Sequence, residues 1–278
     1  MPVGFGVLTA LAVSTSFVSG QAIPEDLVVE RTEFATWLTE AARSPYRAVV
    51  QHPIGPGLSI GPATADVPLA GVDARIEQRG AALTLTTGGS PRPMVRDRLV
   101  PLGDWQLLAA GLAGQATLTV FSRAAKPHQP PDYYRYAAIW RRVATLVPVS
   151  KASTRRLLAA DGTEVEATEA GTVSVSVGGR AVALTVFRIP APGGEESELE
   201  IYFRDGTNNR GSYPAGRFVT LHPLPDGRWQ LDFNRSRNPF CAYSTVYACP
   251  APWRGNVIPL AVEAGERYRG GGLTPPLE

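Results

Sequence analysis

Short stretches of alternating apolar and polar residues make up most of the chain, and turn residues separate them. The clearest stretch covers residues 173–177, where valines alternate with small polar residues before Gly178 and Gly179. Alternation with period two is typical of a strand that buries one face. Because two adjacent glycines supply the positive φ angles of a two-residue turn, the pattern predicts a β-hairpin here.

Similar short strands are predicted along the whole chain. The 28 glycines and 25 prolines divide it into segments that favour strands over long helices. The further predicted strands are 57–61, 65–69, 73–76, 82–86, 117–121, 199–203, 217–221, 228–233 and 257–262. Residues 99–112 are ambiguous between strand and helical turn. In the strand 228–233, alternation puts Trp229, Leu231 and Phe233 on the face opposite to Asp232.

One amphipathic helix is predicted near the N-terminus. It begins after Pro24, with Glu25 and Asp26 at the end where a helix favours negative charge. Apolar residues then recur at helical spacing until Ser44-Pro45, where the proline disfavours further helix. The predicted fold is therefore mainly β, a sandwich or two packed antiparallel sheets, with an N-terminal amphipathic helix lying on a sheet.

The chain is long enough for one large β domain or two small ones. Proline-rich residues 124–131 are the candidate boundary. We therefore predict a helix plus first β subdomain over 23–123, a second β subdomain over 132–269, and a tail over 270–278.

Residues 1–22 carry no charged side chain and end in small residues. They resemble the apolar region and cleavage site of a signal peptide, although the positively charged n-region is missing. The run is short for a membrane span, which takes about 20 apolar residues. We predict a secreted or cell-envelope protein with no span in the mature chain; without cleavage, the segment is an N-terminal strand of a cytoplasmic protein.

The composition argues against several functions. The net charge is only +2 and the sequence has no Lys/Arg cluster, which argues against nucleic-acid binding. The motifs of P-loop, dinucleotide-binding, α/β-hydrolase and zinc-peptidase sites are all missing. Each of the three histidines neighbours a proline and is interpreted as a loop residue. No metal and no cofactor is predicted.

Both cysteines, Cys241 and Cys249, lie in the last quarter of the chain with seven residues between them. In an exported protein they predict a disulfide, worth about 2.5 kcal/mol from loop closure. In a cytosolic protein they are two buried thiols. A zinc site would need two more ligands, and no nearby Cys or His supplies them.

Polar and turn residues are concentrated among aromatics in the last quarter of the chain. They form the motifs Asp232-Phe233-Asn234, Asn238-Pro239, Cys241-Ala242-Tyr243, Cys249-Pro250, Asn256, Ala264-Gly265-Glu266, Phe203/Asp205/Thr207 and Tyr213/Gly216/Arg217. This combination resembles the bacterial and archaeal family called domain of unknown function 1684. The resemblance extends over roughly residues 28–269, implies a bacterial source, and brings no established activity. Residues 58–69 are also similar to the first strands of forkhead-associated sandwiches, but Pro62 stands where those place a phosphate-binding arginine.

Two interpretations of this polar cluster stay open. In the structural one, Asp232 and the asparagines hydrogen-bond nearby backbone, and Arg217 pairs with Asp232 or Glu266. In the functional one, Asp232 or Asp205 is a general base, while Arg217 holds an anionic group. The predicted catalytic residues are Asp232, Arg217 and Tyr243. The predicted ligand-binding residues are Asp205, Tyr213, Asn234, Asn238, Asn256 and Glu266.

The functional hypothesis is a β protein that binds a small molecule or a protein partner at the polar face around Asp232. The alternative is a metal-independent enzyme of hydrolase or isomerase type, in which Tyr243 or Tyr213 stabilises an oxyanion. Catalysis by a Cys241 thiolate is a less favoured option, and a module that only makes protein contacts is a third.

Overall fold

The computed structural model describes residues 21–124, 128–190 and 197–270. Its helix and first nine strands are α1 (Glu25–Glu40), β1 (Ala48–Pro53), β2 (Gly57–Gly61), β3 (Val67–Pro68), β4 (Ala74–Arg79), β5 (Ala82–Thr87), β6 (Ser90–Pro93), β7 (Val100–Leu102), β8 (Trp105–Leu112) and β9 (Gln115–Ser122). The later strands are β10 (Arg141–Ala144), β11 (Leu146–Pro148), β12 (Thr154–Leu158), β13 (Glu164–Val177), β14 (Arg180–Pro190), β15 (Ser197–Phe203), β16 (Arg217–Pro223) and β17 (Trp229–Asp232). The prediction of a mainly β protein with an N-terminal helix is confirmed.

Three predicted features fall partly or wholly outside the described residues. They are most of the signal peptide 1–22, part of the connector 124–131, and nearly all of the tail 270–278. Cleavage and export stay predictions.

The first two sheets pack face to face around one apolar core. Their strand orders are β1-β9-β8-β7 and β3-β2-β4-β5-β6. The core takes side chains from both sheets, including Leu58, Ile60, Ile76, Leu85, Leu107, Leu118 and Val120. Residues 99–112 form the hairpin β7–β8, which settles their ambiguity. The likeness of this half to forkhead-associated sandwiches stays a prediction.

The third sheet nearly closes on itself. Its order is β10-β17-β16-β15-β14-β13-β11, with β12 also paired to β13. The two strands at the ends of this order, β10 and β11, are separated in the chain only by Thr145. The enclosed core includes Val173, Leu184, Ile201, Val219 and Leu231, all at most 1% exposed. The predicted hairpin is confirmed, since Val177 pairs with Arg180 across glycines at φ 55° and 77°.

The structure differs from the prediction in the segments 228–233 and 257–262. Strand β17 stops at Asp232, whose side chain accepts a hydrogen bond from the Asn234 backbone and begins a 3₁₀ turn over Phe233–Arg235. The predicted strand 257–262 is wrong: this segment is irregular and meets the sheet through single contacts with Arg204 and Gly206. Its apolar pattern reflects burial of alternate side chains without a continuous ladder.

The prediction that helix α1 lies on a sheet is wrong. The helix packs on the irregular segment that follows β17. Only Leu27 and Leu38 on this helix are buried. Arg235 pairs with Asp26 and Glu30 of the helix. The helix belongs to the predicted first subdomain but contacts residues of the second. The division into 23–123 and 132–269 therefore stays a prediction.

Candidate functional site

The predicted site residues lie mostly within one buried polar network, formed by three adjoining groups. The first group is centred on Arg217 and Asp205, the second on Glu266 and the third on Asp232. Every residue of the predicted catalytic and ligand-binding sets is less than 9% exposed. The network is therefore part of the interior in this conformation.

Arg217 is fully buried at the start of β16 and is hydrogen-bonded on both terminal nitrogens. One nitrogen donates to Asp205 Oδ2 at 2.8 Å and to the Val262 carbonyl at 2.9 Å. The other donates to the Ala264 carbonyl and to the Glu266 carbonyl. The prediction that Arg217 pairs with Asp232 or Glu266 through their carboxylates is therefore wrong.

Asp205 is positioned by the turn that follows β15. Its Oδ1 accepts from the Thr207 hydroxyl at 2.6 Å, the Thr207 backbone at 2.7 Å and the Val262 backbone at 3.1 Å. Together, Asp205 and Arg217 tie β15 and β16 to the irregular segment 262–266. With these hydrogen bonds made, Arg217 has little capacity left to bind an anionic substrate group, which favours a structural role.

Glu266 is the centre of the second group and is 1% exposed. It accepts hydrogen bonds from the Tyr243 hydroxyl at 2.5 Å and from the Asn238 backbone at 2.9 Å. Burial raises the pKa of Glu266 from 4.5 to about 7, although both hydrogen bonds oppose the rise. A carboxyl group in this range can bind or release a proton near neutral pH.

Gly265 lets the turn that carries Glu266 approach the 3₁₀ turn after β17. Its φ is +73°, and a Cβ at this position would lie 2.6 Å from the Phe233 carbonyl oxygen and 2.7 Å from that of Ser236. Any other residue would therefore push Glu266 away from its partners. This close approach explains why the motif needs glycine before the glutamate.

Two tyrosines that the sequence did not indicate as site residues also lie near Glu266. Burial raises the pKa of Tyr46 to about 12, and the Glu266 carboxylate adds to the rise. Burial and the same carboxylate raise the pKa of Tyr133, which pairs with Glu266 in an isolated bridge. Nothing in the local sequence indicated this proximity, since both tyrosines lie more than 100 positions upstream.

Helix α1 covers this group of tyrosines. The Arg31 guanidinium lies over the Tyr133 ring at 4.1 Å, and the Phe34 ring meets the Tyr243 ring edge-on at 6.4 Å. Arg237 lies over Phe34 at 4.4 Å. These contacts place cationic and aromatic side chains against the tyrosines that lie near Glu266.

The third group holds Asp232 against its own chain. Its Oδ1 accepts from the Asn234 side chain at 2.8 Å and from the Asn234 backbone at 3.0 Å. Asn234 in turn binds both backbone groups of Ala137, while its carbonyl accepts from Arg31. Asp232 therefore lies beside the helix-covered group, with Oδ2 3.7 Å from the Arg235 Nε.

Asn256 lies apart from the other predicted site residues. Its side chain bonds both backbone groups of Thr185, on β14, and the carbonyl of Tyr202, on β15. The side chain thus replaces a neighbouring strand at this edge, which is the connector role of the structural interpretation.

Cys241 and Cys249 are adjacent thiols in this structure, one buried and one exposed. The Tyr213 hydroxyl donates to the Cys241 carbonyl at 3.1 Å and lies 3.4 Å from the Cys249 sulfur. Burial and the hydrogen bond with Cys249 raise the pKa of Cys241 to about 12. A thiolate nucleophile at Cys241 is accordingly disfavoured at neutral pH.

We expect these two thiols to form a disulfide when an oxidant such as diamide accepts their two electrons and two protons. Oxidation should raise the free energy of unfolding by about 2.5 kcal/mol through loop closure. Intact mass before and after alkylation would detect the bond, and thermal melts with and without dithiothreitol would measure its effect. Cys249→Ser is the control, because its side chain is exposed; a stabilisation that persists in this variant would contradict the prediction.

The described ranges contain no group of three or more His, Cys, Asp or Glu side chains placed to hold a metal ion. No helix among the same residues is long and apolar enough to cross a membrane.

The fold and the buried network define a mainly β protein. In its last third, hydrogen-bonded Asp, Asn, Arg and Glu side chains hold irregular segments against the strands. The chain belongs to the family described as protein of unknown function (DUF1684), whose model matches residues 128–267. The resemblance based on the motif residues is thereby confirmed over residues 128–267, and its extension upstream to residue 28 stays a prediction.

A solution NMR structure of an uncharacterized protein of Haloarcula marismortui is similar to this chain at 34% identity. The match covers 50% of this chain and 76% of that chain, with a TM-score of 0.43. No curated protein matches the chain.

Proposed function

We propose that this protein binds a small molecule at the polar network around Asp232, with Glu266 and Tyr243 at its centre. The observation that carries the proposal is the Glu266 carboxyl, which is buried among tyrosines and has a pKa of about 7. Structural carboxylates in an interior are usually paired with a cation, whereas perturbed and uncompensated ones are concentrated at functional sites. Glu266 is hydrogen-bonded to a phenol and a backbone amide, and the Arg237 charge acts on it without a direct ion pair among the described residues.

Access to this centre would come from displacement of α1. The helix is held over the site by charged side chains, chiefly Glu30 with Arg235 and Arg237, and it buries only two of its own residues fully. Partly exposed ion pairs contribute little stability each, so the helix is less firmly held than the sheets below it. A ligand would then meet the aromatic rings and the Glu266–Tyr243 pair.

The test is the native intact mass of freshly purified protein, compared with its denatured mass. A bound compound is expected as a reproducible mass excess in the native state. Tyr243→Phe and Asp232→Asn should remove the excess in protein that still melts cooperatively. Tyr202→Phe is the matched control, because its buried hydroxyl bonds the backbone of Ala215 and Pro250 instead of Glu266.

The structural and protein-contact interpretations give the opposite result. They predict no mass excess in repeated preparations, and variants at Asp232 and Tyr243 that lower the melting temperature and change nothing else. That outcome would overturn the proposed binding function.

A second candidate is the metal-independent enzyme, hydrolase or isomerase in type. The observation in its favour is again the near-neutral pKa of Glu266, which suits a general acid or base. Tyr243 would donate to developing negative charge, and Arg217 would act through the scaffold. Incubating the released compound with protein between pH 5 and 9 separates the candidates: catalysis changes the mass of the compound, and binding leaves it unchanged.

A further inference from the structure

A cleft of about 620 Å³ lies apart from the Asp232 network, between the first two sheets and the later part of the chain. Its walls come from the end of β1, the turn between β8 and β9, the turn between β12 and β13, and residues 245–248. None of the predicted site residues lines it. A volume of this size is within the range of small-molecule sites.

One side chain, Gln51, joins three of these walls. Its amide nitrogen donates to the Asp161 carbonyl at 3.0 Å and to the Thr119 hydroxyl at 3.3 Å. Its amide oxygen accepts from the Ala248 backbone at 3.2 Å. The cleft is thus held in shape by hydrogen bonds between segments up to 197 positions apart.

The close approach of two backbones also fixes the shape of the cleft. Gly162 has φ +71°, and a Cβ there would lie 2.8 Å from the Ala248 carbonyl oxygen. The Asp161 side chain accepts from the backbone and hydroxyl of Thr163, which holds this turn. The part of the wall formed by this turn is therefore preformed.

Tyr247 lines the cleft and carries a polar group that no described residue satisfies. Its side chain is 5% exposed, and its hydroxyl is inaccessible and lacks a hydrogen-bond partner among the described residues. An unpaired buried hydroxyl is unfavourable, so this position favours a ligand that supplies an acceptor. Burial, with a smaller effect from Asp161, raises the pKa of this phenol well above its ordinary value. It is therefore an O–H donor at neutral pH.

The charge of the cleft limits what it can accept. Glu164 is the only charged residue in the lining, and within the described ranges its carboxylate makes no hydrogen bond or ion pair. Apolar side chains, among them Pro53, Leu158 and Val246, make up much of the remaining wall. A carboxylate attracts a cation, a phenol donates to an oxygen, and the apolar wall takes hydrocarbon.

We infer that this cleft is a binding site for a small organic amine that has an apolar body and an oxygen acceptor. The ammonium group pairs with Glu164, and the oxygen accepts from Tyr247 once the phenol shifts to bring its hydroxyl to the cleft. The site is independent of the function proposed for the Asp232 network, so either can fail without the other.

Three probes of nearly equal size test the assignment. They are 4-methoxybenzylamine, 4-methoxybenzyl alcohol and 4-methoxybenzoate, which share an ether oxygen and differ in charge. Calorimetric or NMR titration of the whole protein should give the tightest binding for the amine, about tenfold weaker binding for the alcohol, and none for the benzoate. Preference for the benzoate, or no binding of any probe at millimolar concentration, would overturn the inference.

Variants then locate the binding. Glu164→Gln should weaken binding of the amine about tenfold and leave binding of the alcohol unchanged. Tyr247→Phe should weaken binding of both probes. Glu166→Gln is the matched control, since Glu166 lies on the same strand, is exposed and does not line the cleft. Equal affinities in all three variants would place the probe elsewhere and refute the site. Tyr247→Phe should also melt no lower than the wild type; a lower melting temperature would show that the hydroxyl is already paired.

Discussion

Replacing Arg217 with methionine is expected to lower the free energy of unfolding by about 3–5 kcal/mol. The substitution leaves Asp205 as a buried, unpaired carboxylate, and it removes the donor for three backbone carbonyls. Removing one partner of a buried ion pair costs more than the pair contributes, because the remaining charge cannot return to water. Urea denaturation at neutral pH would measure the loss.

The matched control is Arg228→Met. Arg228 also pairs with an aspartate, Asp226, at 2.6 Å, but both side chains are about half exposed. Water replaces the lost partner there, so we expect little change. If Arg217→Met does not fold, Arg217→Lys serves instead: it keeps the charge but loses the second terminal nitrogen, and should unfold at intermediate urea concentration. Equal stability of the Arg217 and Arg228 variants would contradict the buried-network interpretation.

The free energy of unfolding of the wild-type protein is expected to depend on pH between about pH 4.5 and pH 7, and Glu266→Gln should remove this dependence. Burial raises the pKa of Glu266 in the folded state to about 7, above its ordinary value of 4.5. In this window the folded protein binds more protons than the unfolded chain, so its stability falls as pH rises. At about 1.4 kcal/mol per pH unit, the loss amounts to about 3 kcal/mol.

The wild type should therefore lose about 3 kcal/mol relative to Glu266→Gln between pH 4.5 and pH 8. The glutamine has one oxygen acceptor for two donors, Tyr243 and the Asn238 backbone, which costs a constant amount at every pH. Denaturant titrations of both proteins across this range give the difference directly. Glu263→Gln, at an exposed position three residues upstream, is the control. A stability of the wild type relative to Glu266→Gln that stays flat or shrinks as pH falls would contradict the raised pKa of Glu266.

Local patterns were enough to predict the elements that depend on neighbouring residues. The hairpin at Gly178 and Gly179 was predictable because its turn and its alternation lie within one segment. The inward-facing side chains of residues 228–233 were predictable for the same reason: Leu231 and Phe233 lie in the apolar core, while Asp232 belongs to the polar network. The segment 257–262 was mispredicted, because an apolar alternation also occurs where a chain lies over a core without a strand partner.

The burial of the candidate site residues was predictable, but their connections were not. The predicted site residues are all buried, and most of them lie in one network, while Asn256 lies apart. The partner of Arg217 could not be predicted, since Asp205, Asp232 and Glu266 are all carboxylates at plausible distances along the chain. Only the packing of the turn after β15 against residues 262–266 decides which one Arg217 meets.

The sequence by itself determined the mainly β class, the N-terminal helix, the main hairpin and the family, because periodicity, turn chemistry and motif spacing are properties of short segments. Tertiary structure alone decided what α1 covers, which residues surround Glu266, and where the cleft lies. Those features depend on contacts between residues far apart in the chain, such as Glu30 with Arg235 and Gln51 with Ala248. A residue's local pattern does not specify a partner some 200 positions away, since that contact exists only once the sheets have packed.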